Sequence, residues 1–128
     1  MFININRYGS LIRDKECFKA AGKYGKVVYL TSGDVNPEAS PLEVWDIAKG
    51  LLNSVWDLQR HYSLRCTMIC IDGAEPTLMY AAVRLFLEHG LKVCRPVYKI
   101  TDDGMIFVRF REFINHNIYE DDGRHDND

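Results

Sequence analysis

Four short polar clusters carry the residue types that could grip an anion or assist a displacement. They are Asn6-Arg7-Tyr8-Gly9-Ser10, Thr31-Ser32-Gly33-Asp34, Asp72-Gly73-Ala74-Glu75-Pro76-Thr77, and the group Arg95, Pro96, Tyr98 and Lys99. Glycine lets backbone amides approach a ligand, while Arg, Lys and hydroxyl groups donate to phosphate oxygens. Ordinary strand-to-helix turns need the same Gly, Ser and Asp, so for any single cluster the two readings weigh equally. The 72–77 turn is the sharpest case. Its Gly73 precedes an apolar segment of helical length, whose amides and dipole would favour an anion, and Thr77 adds a hydroxyl. Glu75 works against that, since an acid repels phosphate and suits a helix N-terminus on its own account.

Other chemistries find little support. No GxGxxG or GxxxxGK[ST] pattern occurs, which argues against dinucleotide and P-loop nucleotide binding. His61 and His89 close expected helices, where a cation suits the dipole, and His116 and His125 fall near the end of the chain. None stands near a Ser or Cys in a triad-like arrangement. Cys66, Cys70 and Cys94 sit in apolar, strand-like runs, and with Cys17 they read as buried thiols of a reducing cytoplasm. Cys66 and Cys70 would share a strand face, but no second pair completes a zinc site, so neither metal nor cofactor is expected. Trp45 and Trp56 lie on one face of a long helix, where core packing outweighs base stacking.

The elements that must position these clusters follow from periodicity. Residues 2–6 alternate like a strand, and 14–21 form a short helix ending at Gly22. Residues 26–31 (KVVYLT) read as a buried strand. Ser40-Pro41-Leu42-Glu43 is a capping box with Pro at the first helical position, opening a helix to about His61. Gly50 interrupts that helix, and a close helix–sheet approach would account for it. Residues 65–71 form a third strand, 77–89 a helix buried on most sides with Gly90 after it, and 91–97 a fourth strand. Asp103-Gly104 then joins two strand-like arms into a hairpin. On the second arm, alternation puts Arg109 and Arg111 with Phe107 on one face and Val108 with Phe110 on the other. Those arginines read better as guards of an edge strand than as phosphate ligands. The expected fold is α/β: a Rossmann-like three-layer sandwich, mainly a parallel sheet of four strands, with a C-terminal β-hairpin at its edge. In such sheets ligands bind beyond the carboxyl ends of the strands, which is where the four clusters fall.

The 128 residues suit one domain, placed at 1–119, followed by an acidic tail at 120–128 expected to be disordered. The formal charge of −2 is uneven, because the tail holds a net −4 and the remainder a net +2. The body lacks the positive charge of a duplex-DNA binder, and no apolar run approaches the ~20 residues of a membrane span.

The run 70–93 (CIDGAEPTLMYAAVRLFLEHGLKV) resembles the strand–turn–helix–strand core of small CRISPR-associated Rossmann-fold (CARF-like) proteins of the ring-nuclease-like group. The segment 107–113 (FVRFREF) is similar to an ending found in the same proteins. Glu75 and Pro76 stand where their usual turn has Gly-Thr. The resemblance implies a cytoplasmic homodimer whose facing rims bind cyclic oligoadenylate, the second messenger of type III CRISPR defence. Some members also cleave it without metal, by attack of a ribose 2′-hydroxyl on the adjacent phosphate. Carried onto this chain, Ser32, Arg95 and Lys99 become the candidate catalytic residues. Arg7, Ser10, Thr31, Gly33, Asp34, Gly73, Ala74, Glu75 and Thr77 become the candidate ligand-binding residues. Three readings stay open: a ring nuclease, a nucleotide sensor or sink without catalysis, and an adaptor subunit with no ligand.

Overall fold

The computed structural model describes residues 1–114; the 120–128 tail and the end of the expected domain lie outside the described residues. Eight elements follow in order: β1 (Phe2–Asn6), α1 (Lys15–Gly22), β2 (Val27–Thr31), α2 (Pro41–Tyr62), β3 (Met68–Ile71), α3 (Pro76–Glu88), β4 (Val93–Thr101) and β5 (Gly104–Glu112). They build one five-stranded sheet of order β2-β1-β3-β4-β5, parallel except for the antiparallel β4–β5 pair. The expected fourth strand and the first hairpin arm are therefore a single strand.

Two cores divide the sheet's faces. Ile3, Ile5, Val28, Ile69, Ile71 and Val93 pack against α2 and α3. Phe2, Met68, Cys70 and Cys94 pack against Ala21 of α1. The capping box forms as the sequence dictates: the Ser40 amide donates to Glu43 Oε1 at 2.9 Å, and the Glu43 amide donates to Ser40 Oγ at 3.2 Å. Val44, Ala48, Leu51, Leu52 and Val55 give α2 its buried stripe, and both tryptophans are partly buried against the same core.

Four expectations change. The 26–31 strand lies at a sheet edge, so within β2 only Val28 is buried. Cys66 precedes β3 and packs on the α2–α3 side, whereas Cys70 packs on the α1 side, so they do not share a face. Gly50 is exposed, and a Cβ there would meet nothing within 4 Å, so no close approach explains it. Gly50→Ala is accordingly expected to stabilise the chain by about 1 kcal/mol, read as a raised denaturation midpoint. The fourth change is a bulge. Val97 pairs with Arg109 but Tyr98 pairs with Phe107, leaving Val108 as the extra residue. Phe107 thereby joins Phe110, with ring centroids 5.0 Å apart, and leaves the face of Arg109 and Arg111.

Candidate functional site

The strand order reverses at β1: β2 lies to one side and β3 to the other, and the chain turns opposite ways to reach them. A crevice is expected outside the carboxyl ends of β1 and β3. A cavity of about 450 Å³ lies there, on the α1 face. With eight residues, α1 is roughly 12 Å long and covers only part of its face. Asn4, Asn6, Cys70, Asp72, Pro96 and Tyr98 line the floor and far wall, and the loop from Ser10 to Asp14 with Cys17 lines the near side. β4 pairs with β3 only at Val93 and Cys94, so its continuation stands out as the wall that carries Pro96 and Tyr98.

Asn6 builds the loop. Its Oδ1 accepts from the amides of Tyr8 (3.2 Å) and Ser10 (2.8 Å), and its Nδ2 donates to the Ser10 carbonyl (2.9 Å). The Ile12 amide donates to the Tyr29 hydroxyl at 3.3 Å, fixing the loop to β2. Both acids of the cavity are engaged. Asp14 caps α1 by accepting from the Cys17 amide at 2.9 Å, and Asp72 lies 3.6 Å from the Arg95 guanidinium. Asn4 differs: it sits on the central floor, beside Cys70 on β3, and its side chain makes no hydrogen bond among the described residues. An unengaged amide offers a donor and an acceptor side by side.

The thiols here are kept protonated. Burial raises Cys17 above its ordinary value of 9.0, and the hydrogen bond with Tyr98 offsets that only in part. Cys70 is pushed up by its hydrogen bond to Cys94 and then by burial. Burial, followed by the charge and hydrogen bond of Cys17, pushes Tyr98 up to about 12. They are poor nucleophiles and suited to a nonreactive lining. Above pH 9 the unfolded chain loses these protons while the folded chain keeps them, so the unfolded state gains. The urea midpoint is therefore expected to fall between pH 8 and about pH 11. Equal midpoints at the two ends would contradict protonated thiols.

The candidate residues divide into three groups. Ser10 and Gly73 line the cavity, and Gly73 takes a positive φ of 74° beside Asn6. A second group ties loops together. Arg7 Nε lies 3.4 Å from Asp34 Oδ1, within ion-pair range but without hydrogen-bond alignment. Thr31 Oγ1 donates to the Arg7 carbonyl at 2.6 Å and accepts from the Gly33 amide at 3.2 Å. Ser32 Oγ donates to the Gly33 carbonyl at 3.3 Å. In the 72–77 turn, Ala74 is buried, and Glu75 caps α3 by accepting from the Leu78 amide at 2.9 Å and the Thr77 hydroxyl at 3.3 Å. That carboxylate occupies the place an anion would need. Arg95 and Lys99 form the third group, on β4. Three strand spacings, about 14 Å, separate β2 from β4, so one phosphodiester cannot touch Ser32 and this pair within a subunit.

Sequence reasoning placed Pro96 and Tyr98 at the rim, as the cavity does, but missed Asn4, Ile12, Arg13 and Asp14. Asn4 reads as an ordinary polar position of an alternating strand, and only the placement of β1 inside the sheet singles it out. Comparison with protein-family models, curated proteins and solved structures finds no match. Among the described residues, no helix is long and apolar enough to cross a membrane, and no cluster of His, Cys, Asp and Glu is arranged to hold a metal.

Proposed function

We propose that this chain binds a small phosphate-bearing nucleotide in the β1–β3 crevice. Cyclic oligoadenylate is the class that the sequence resemblance implies, held by a homodimer. The observation that carries the reading is the cavity at the switch point, with the unengaged Asn4 amide on its floor and Arg13 at its side. An Asn amide is matched to the edge of an adenine, which presents a donor beside an acceptor. The α3 N-terminus, capped by Glu75, has no part in this reading.

Binding without turnover is favoured over cleavage. Cleavage needs the 2′-hydroxyl, the phosphorus and the charge-stabilising donors aligned together, and Ser32 lies three strands from Arg95 and Lys99. A cleaving centre would have to draw on a second subunit. The test is incubation of the pure chain with cyclic tetra- and hexa-adenylate in EDTA, followed by a binding titration and product analysis. Binding with the ring recovered intact supports the reading; linear product restores the ring-nuclease reading; no binding of either ring removes both.

A further inference from the structure

From Arg95 onward β4 pairs only with β5, so the two strands leave the sheet as a two-stranded arm. The register sorts its side chains. Pro96, Tyr98, Phe107 and Phe110 share the α1 face with the crevice. Arg95 stands directly across from Arg111, Val97 from Arg109, and Lys99 from Ile106, which places four cations on the opposite face. Arg95, Lys99, Arg109 and Arg111 are all exposed.

Edge protection does not explain this pattern. Guarding an edge needs single charges, and both β5 and the part of β4 beyond Cys94 have a free edge here, but protection does not require two cations set face to face across the ladder. Setting Arg95 directly opposite Arg111 costs stability, because like charges across a ladder repel. Asp72 lies 3.6 Å from the Arg95 guanidinium, while Lys99 and Arg111 make no ion pair among the described residues. Arg109 and Arg111 stand ~6.6 Å apart on β5, Arg95 and Lys99 about 13 Å apart on β4, and the two strands lie about 5 Å apart. This is a narrow charged track about 13 Å long, enough for about three successive phosphates of a flexible strand.

The geometry points to a second binding surface: the basic face of the β4–β5 arm takes the phosphate backbone of single-stranded nucleic acid. The body's small net charge suits a local track for a flexible strand and not the broad field that a duplex requires. Lys99 and Arg111 stand on the face opposite the crevice, and Arg95, whose partner Asp72 lines the crevice, is left unchanged in the test, which therefore stands apart from nucleotide binding there.

The test is retention of a single-stranded oligouridine of about 20 nucleotides, titrated at rising salt from about 50 mM. With about three phosphates neutralised, the log–log salt slope is expected to be about −2. The double variant Lys99→Glu, Arg111→Glu should lose at least tenfold in affinity at about 50 mM salt and flatten the slope by more than 1. Its melting temperature should hold or rise, since a carboxylate then faces Arg95. Wild-type failure to retain the oligouridine would overturn the assignment, as would equal retention by the variant. Equally tight retention of a duplex, or of a polyglutamate of the same charge, would also overturn it.

Discussion

Phe2→Ala is expected to cost about 3–5 kcal/mol, a large part of the stability of a domain this size. Phe2 is fully buried on β1, an interior strand of the sheet. Its ring centroid lies 5.1 Å from that of Phe110 and 5.8 Å from that of Tyr24. Phe110 meets Phe107 at 5.0 Å, and Phe107 meets Tyr98 at 5.9 Å. A line of aromatic contacts therefore runs from β1 to the arm that walls the crevice. Truncation leaves a cavity that neighbouring rings cannot fill without moving, so the transfer and cavity costs add. Phe2→Leu keeps most of the volume and should cost well under half as much. Urea denaturation of both variants checks this; an alanine variant losing less than about 1 kcal/mol would mean that Phe2 does not anchor this layer.

Asn4→Leu carries the largest expected effect on function. The two side chains are close in size, but leucine has neither donor nor acceptor. A nucleotide that pairs its base edge with the amide would leave its own polar groups unmatched, a cost of about 1–3 kcal/mol or roughly tenfold to a hundredfold in affinity. Stability should hold or rise, because the amide has no partner to lose and leucine would rest against an apolar thiol lining. Opposite signs in the two measurements separate a ligand-reading residue from a structural one. Asn6→Leu serves as contrast: it removes three loop-building hydrogen bonds and should lower both stability and binding.

Much of the architecture was legible from local patterns. The Ser40–Glu43 box, the Asp103-Gly104 turn and the alternation of elements each dictate one structure, because capping, turn chemistry and periodicity act within a few residues. Strand order was not legible, since it depends on which strands meet across the sheet. That is why KVVYLT reads as buried while β2 is an edge, and why four rim clusters of equal appearance separate into a cavity, a loop tie and an arm. The bulge at Val108 is likewise invisible to strict alternation, though it decides which aromatic residues meet. Asn4 and Asn6 look like ordinary polar positions of an amphipathic strand. Only the shortness of α1 turns the face they occupy into a crevice.

The most direct test is backbone amide shift mapping of the chain titrated with cyclic tetra- and hexa-adenylate in EDTA. One ring is expected to perturb Asn4, Asn6, Ser10, Gly73 and Tyr98 together, and Asn4→Leu to move the midpoint of that response to a roughly tenfold to hundredfold higher ligand concentration. No perturbation by either ring, or shifts confined to Ser32, Gly33 and Asp34 beyond β2, would contradict that expectation.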